Sequence, residues 1–217
     1  MSLSKTNVVD ATLGFLDSQG LDQLTMRSLG ASLNVRGGAF YRYFPNKETL
    51  LEAVADKIVE GVGDPLPDVA WDEQIRILAD RLRTALVAHR DGARVVAGTF
   101  APGANTIIGS DVAVQVLCAA GLPPAQAGWA TYALFYYVLG HAIEEQALLE
   151  LPPNRDWRDR TESLHVKVSQ QYATALDSLA DTDPVKRFEY GLNIFIEGVR
   201  QSLTGPADSD LSSESSS

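Results

Sequence analysis

At 217 residues the chain is long enough for a large core in one or two domains, and no apolar run approaches the roughly 20 residues of a membrane span. A single cysteine, Cys118, excludes an internal disulfide and a cysteine-rich zinc site. The net charge of −10 argues against indiscriminate coating of nucleic acid, yet residues 1–47 hold five cations against three carboxylates, a net of +2, which leaves −12 on the remainder.

Helical periodicity dominates and no alternation of strand type appears, so the expected class is all-α. Val8, Thr12, Phe15 and Leu16 give a first helix one buried side, with Gly20 at its end. Thr25 is placed to cap a second helix, Met26 to Leu33, by accepting a free backbone N–H. Asn34 suits a left-handed residue after it, and a short third helix is expected from about Gly37 to Tyr43, with Val35 and Phe40 inward. Lys47 opens a fourth helix, and Gly61, Gly63, Pro65 and Pro67 then break the pattern between an N-terminal head and a body.

In the body, helices are expected from Trp71 to about Leu86, briefly before Gly98, from Asn105 to Ala120, and from Ala125 to about Leu151, where Pro152-Pro153 ends the run. Residues 154–165 read as a charged loop, followed by a helix from Val166 to Leu179. Asp183-Pro184 suits the cap and first turn of a last helix, whose apolar stripe is Phe188, Leu192, Phe195, Ile196, Val199 and Leu203. The tail, 205–217, is Ser and Asp rich and is expected to be disordered. The division is therefore 1–47 for the head, 48–63 for a connecting helix, 64–204 for the body and 205–217 for the tail.

The two short helices before Lys47 have the grammar of a helix-turn-helix, whose second helix lies in the DNA major groove. Tyr41, Tyr43 and Lys47 have the chemistry for phosphate, and Thr25 and Arg27 offer a second clamp. Base reading falls to Arg36, Gly37-Gly38 at the helix start, and Arg42, since an arginine can hold guanine O6 and N7 together. The glycine pair carries no side chain to read a base, and it lets the backbone sit close to the bases instead.

Leu24-Thr25, Phe40-Tyr41, Tyr43-Phe44 and Asn46-Lys47-Glu48 with Leu50-Leu51 together resemble the DNA-binding domain of the tetracycline repressor (TetR) family of one-component regulators. The resemblance continues into the body through Ala85-Leu86, His89-Arg90-Asp91-Gly92-Ala93, Gly98-Thr99 and Gly140 to Gln146, where it is similar to the tetracycline-responsive class. It implies a homodimeric regulator of double-stranded operator DNA, a repressor relieved by a small molecule. It further implies that the aromatic helix and the last helix form a four-helix dimer seam, with Phe188, Leu192, Phe195, Ile196 and Val199 as the interface set; the alternative for that stripe is burial within one subunit.

That class's drug-binding residues do not carry over. Val96 stands at the position of its metal-ligating histidine, Leu78 and Gly63 replace an asparagine and a histidine, Leu82 replaces a phenylalanine, and only Glu144 matches an acidic residue of its metal site. One carboxylate cannot reproduce a magnesium site, so no metal and no cofactor are expected. The candidate cavity is apolar and aromatic: Leu78, Leu82, Val96, Phe100, Trp129, Tyr132, Phe135, Tyr136 and Leu139, with Glu144 or Tyr136 to orient a hydrophobic or polycyclic ligand. Whether residues 129–137 line a pocket or fill the core and dimer seam stays open at this stage.

Two other classes compete. His141-x-x-Glu144-Glu145 puts metal-binding side chains on one helix face, but a di-iron bundle needs such elements from several helices. His89-Arg90-Asp91 mimics a kinase triplet without a glycine-rich phosphate loop, so no enzyme is expected. A ligand carrier with a head that no longer binds DNA is the remaining alternative, against which stand Tyr41, Tyr43 and Lys47. With no leader-like N-terminus in the sequence, the expected location is the cytoplasm.

Overall fold

The computed structural model describes residues 4–33, 41–99, 102–149, 167–181 and 183–204. These residues form α-helices and one short 3-10 turn, with no strand among them. Two helices lie in the expected head, α1 (Lys5–Gln19) and α2 (Met26–Ser32), and α3 (Lys47–Ile58) follows at the expected connecting helix. Six belong to the body: α4 (Trp71–Val87), α5 (Gly92–Ala97), α6 (Ala104–Ala120), α7 (Pro124–Leu149), α8 (Gln170–Asp181) and α9 (Pro184–Thr204). The expected reading helix, residues 37–43, falls mostly outside the described residues, as do Asn34, Val35, the 154–165 loop and the 205–217 tail.

Local chemistry sets the helix ends. Ser4 Oγ accepts the Asn7 N–H to start α1, and Gly20 ends it at φ +81°, a backbone conformation that suits glycine. Thr25 and Ser28 form a reciprocal capping box at the start of α2, each side chain accepting the other's backbone N–H at 2.9 Å. Asn46 Oδ1 accepts the Thr49 N–H at 2.8 Å to open α3. At α9, Asp183 Oδ1 accepts the Val185 N–H at 2.9 Å, the cap role the sequence suggests.

Leu16, Leu24, Leu29, Leu50 and Val54 are all but inaccessible and hold the head together. The break at Gly61 to Ala70 is strapped down from the body: Arg81 on α4 donates to the Asp64 carbonyl at 2.7 Å and to the Pro65 carbonyl at 3.3 Å. Within the body, α4, α6 and α7 pack on one another around Ile75, Leu86, Leu117, Val138 and Ala142.

The last helix corrects one expectation. Phe188, Leu192, Ile196 and Val199, expected at a dimer seam, are buried inside this single chain, and Phe195 is half-buried. The reason is the depth of the α7–α9 contact. Phe188 stacks on Tyr137 with ring centres 5.5 Å apart, while the Tyr137 hydroxyl donates to the Phe188 carbonyl at 2.6 Å. Tyr137 also passes so close to Gly191 that any side chain there would collide with its ring. The stripe is one continuous apolar face, as its spacing implies, but the surface that it covers belongs to the same subunit.

Candidate functional site

Of the residues expected to meet phosphate, Tyr41, Tyr43 and Lys47 lie at and just before the start of α3. Tyr41 and Arg42 are exposed, Tyr43 and Lys47 are half-exposed, and Lys47 is the first residue of α3. A helix start offers free N–H groups and a positive dipole end, which suits an anion. Arg42 is turned onto its neighbour: its guanidinium donates to the Tyr43 hydroxyl at 2.8 Å and lies 4.6 Å over the ring. In that setting Arg42 and Tyr43 present one combined cationic and hydroxyl group. Arg27 is exposed on α2, whereas the Thr25 hydroxyl is already engaged with Ser28. Arg36, Gly37 and Gly38 lie outside the described residues.

The head is tied to the body at two places. At the first, the Asp17 carboxylate accepts the Arg90 N–H at 3.0 Å and meets His89 Nδ1 at 3.0 Å, while the Leu21 N–H donates to Asp91 at 2.7 Å. Arg94 bridges Asp91 and Asp22 at 2.6 and 2.9 Å. Burial alone would push the Asp91 carboxyl up; the Leu21 N–H and Arg94 outweigh it and hold the group below its ordinary value. Asp91 adopts φ +60°, a strained setting for a non-glycine residue that these contacts hold in place. The Gly92 segment is stitched to α7 by Gln146, which donates to the carbonyls of Leu86 and His89 and accepts the Ala93 N–H.

At the second place, Asp56 on α3 caps the first turn of α6. Its Oδ1 accepts the backbone N–H groups of Asn105 at 2.8 Å and Thr106 at 3.2 Å.

Between these elements is a cavity of about 60 Å³, walled by Val59 and Val62 after α3, Leu78, Ala79 and Leu82 of α4, Asn105, Thr106, Gly109, Ser110 and Ala113 of α6, and Thr131, Leu134 and Phe135 of α7. Among the described residues, no ionisable side chain is in that wall. The Thr131 hydroxyl donates its proton to the Ala127 carbonyl at 2.9 Å, which leaves it only an acceptor role toward the cavity. Of the sequence candidates, Leu78, Leu82 and Phe135 line this space. Val96 and Leu139 pack elsewhere, and Phe100 lies outside the described residues.

The remaining candidates do not line this cavity. Trp129, Tyr132 and Tyr136 are 62%, 61% and 64% exposed, and Glu144 is exposed too. They sit on the outer face of α7, because Leu134, Val138 and Ala142 take the inner one. The small residues of the wall, Gly109, Ser110 and Ala113, escaped the sequence reading. Their spacing of one and four along α6 marks a face that a neighbour can approach closely or leave hollow.

Two family models match the chain in tandem. Residues 8–54 match the bacterial regulatory proteins of the tetR family, and residues 64–203 match the tetracyclin repressor-like C-terminal domain. The chain belongs to the TetR family. It is 32% identical to the tetracycline repressor protein class A from transposon 1721 of Escherichia coli over 96% of this chain and 98% of that one. A possible TetR family transcriptional regulator from Streptomyces coelicolor A3(2) has the same fold, with a TM-score of 0.83 at 39% identity over 92% of this chain and all of that one. BioQ bound to its natural double-stranded DNA operator is similar at a TM-score of 0.69 and 31% identity, covering 92% of this chain and 99% of that one. TetR-family proteins are DNA-binding transcriptional regulators, and this chain, helical with no strand among its described residues, is one of them.

One polar cluster of this TetR-family body lies apart from the cavity wall. Arg83 is only 8% exposed and forms a two-point pair with Glu145 at 2.6 and 3.0 Å, next to His141 and the Phe188 ring. Burial pushes the His141 pKa below the ordinary 6.5, with Arg83 and Arg187 adding to the effect and Glu145 opposing it. A folded pKa below the unfolded one means that folding favours neutral His141. Its contribution is then full above about pH 6.5 and is lost as pH falls through the lower folded value. Urea midpoints should decline on acidification from pH about 6.5, and less steeply in His141→Gln; an unchanged profile in the variant would assign the decline to another group.

Proposed function

We propose that the protein is a homodimeric repressor whose two heads hold a pseudo-palindromic operator and which a small, uncharged, largely apolar effector releases. The observation that carries this reading is the position of the cavity. Its wall includes Val59 and Val62, directly after the helix that begins with Lys47, so whatever fills it acts on the element that aims the head. The operator-bound relative and the tandem match of head and body support the DNA half of the proposal. The expected domain division places the head at 1–47, the connecting helix at 48–63 and the effector and dimer body at 64–204. The expected location is the cytoplasm; no described helix is long and apolar enough to cross a membrane.

The effector class follows from the cavity wall. It offers Leu, Val and Phe surfaces and no charge, which suits a neutral molecule held by shape and by a hydroxyl or amide contact. Tetracycline, the ligand in the name of one relative, is disfavoured. A Cβ added at Gly63, where that class carries a drug-holding histidine, would lie 2.9 Å from the Gly109 nitrogen, and Glu144 is exposed. At about 60 Å³ the space is well below the roughly 300–1,000 Å³ of ordinary ligand sites, so an effector must widen it on entry.

The dimer seam follows from exposure. Trp129, Tyr132 and Tyr136 on α7 and Tyr190 and Ile194 on α9, the last two 70% and 60% exposed, are among the large apolar side chains that the fold leaves uncovered on the two helices expected to pair. Two heads on such a dimer would meet half-sites about 34–36 Å apart, or somewhat more if they spread.

Selection of bound duplexes from a random pool tests the reading. A palindromic winner whose affinity falls steeply with salt is expected; no enrichment at low salt would favour the carrier reading. Lys47→Ala should weaken binding to all sequences. Arg36→Ala should instead relax preference at one base pair per half-site, worth about 1–3 kcal/mol. Equal losses on every sequence for both variants would remove the distinction between positioning and reading.

A further inference from the structure

The start of α6 lacks the usual local cap. Gly103 stands at its N-cap position and supplies no side-chain hydrogen bond. The cap comes from another part of the chain, 49 residues earlier: Asp56 Oδ1 takes the N–H groups of Asn105 and Thr106. Asn105 returns the contact, its amide Nδ2 donating to the Asp56 carbonyl at 3.1 Å and to Asp56 Oδ2 at 3.2 Å. A carboxylate at the positive end of a helix, with two backbone donors aimed at one oxygen, is a charge-assisted contact rather than incidental packing. Gly103 makes the approach possible, because a Cβ there would overlap the Asp56 carboxyl group.

The residues on either side of this contact are also cavity residues. Asn105 and Thr106 line the cavity from α6, and Val59, one helical turn beyond Asp56, lines it from the α3 side. The contact therefore borders a space too small for an ordinary ligand. An occupant that widens it by moving the first turn of α6 away from α3 stretches the bonds to Asp56.

We propose that Asp56 is a positioning residue for operator binding: by capping α6 from α3 it holds the head in its DNA-competent setting, and filling the cavity releases it. This rests on the regulator reading given above. Operator and a closed Asp56 contact then favour the same state, so each must strengthen the other.

The test uses the full-length protein and the operator duplex selected from the random pool, with hydrogen exchange followed at the amides of Asn105 and Thr106. In the wild type, operator should slow exchange at these two amides, although α6 is not expected to touch DNA. Asp56→Asn and Gly103→Ala disturb the contact from opposite sides. Each should lower operator affinity on the order of tenfold and remove the operator-dependent slowing, and the double variant should lose little more than either alone. A cap needed only for the stability of α6 would raise exchange in the variants without any response to operator in the wild type. Tight operator binding with unaltered exchange at residues 105 and 106 overturns the proposal by itself, and so does wild-type operator affinity in both variants. Absence of operator binding by the wild type overturns the regulator reading and this inference together.

Discussion

Replacing Phe188 with alanine should lower the unfolding free energy by about 3–5 kcal/mol, a large part of the roughly 5–15 kcal/mol available to a typical domain. The ring is 3% exposed and is surrounded on several sides: Tyr137 stacks on it at 5.5 Å, His141 meets it edge-on at 5.1 Å, and the Arg83 guanidinium lies 5.4 Å from its centre. Alanine would leave a hole beneath the Arg83–Glu145 pair, and a pair that loses its apolar cover must either take in water or sit poorly solvated. Denaturant unfolding measures the loss, with Glu189→Ala, one residue along and exposed, expected within about 0.5 kcal/mol of wild type. A loss below about 1 kcal/mol for Phe188→Ala would mean that the α7–α9 contact is not the one described.

Tyr132→Glu should turn the dimer into a monomer at micromolar concentration and cost operator affinity on the order of a hundredfold or more. Tyr132 is 61% exposed in the single chain and lies 6.0 Å from the exposed Tyr136 ring, in the middle of the uncovered apolar face of α7. A glutamate at the centre of a seam buries two like charges across the symmetry axis, or leaves the seam open. The functional loss follows from linkage between the heads. Once one head is bound, the other is held near its half-site, an advantage worth about 10² to 10⁴ in affinity without any new contact. Sedimentation velocity and operator titration on the same preparation measure the two effects. A variant that remains dimeric with wild-type operator affinity would place the seam on another face. The single-chain fold should be unaffected, since the hydroxyl end of Tyr132 supports none of its core.

The contrast between these two residues shows where sequence reasoning reached its limit. On α9 the stripe Phe188, Leu192, Ile196 and Val199 is legible at helical spacing, and the structure does bury it. Periodicity reports that a face is apolar, not whose surface covers it. A helix packed within its own subunit and one packed against a second copy have the same pattern. On α7 the difficulty is greater, because apolar and aromatic residues surround the helix and no single stripe stands out. Only the neighbouring helices choose which of its rings turn inward: Leu134 and Phe135 reach the cavity, while Trp129, Tyr132 and Tyr136 do not.

By itself the sequence determined what depends on neighbours in the chain. Thr25 with Ser28, Asn46 before Lys47, Gly20 after α1 and Asp183 before Pro184 mark helix ends through hydrogen bonds or backbone angles spanning a few residues, and those ends lie where expected. The run from Leu24 to Leu51 likewise carried the family likeness, because helix-turn-helix heads are built from contiguous residues. Tertiary structure decided everything that joins distant segments: Asp56 with Asn105 and Thr106, Asp17 with Arg90, Arg83 with Glu145, and a cavity wall drawn from α4, α6, α7 and the end of α3. Such pairings leave no period or spacing in the chain, since the residues concerned are ordinary surface types until packing brings a donor to an acceptor.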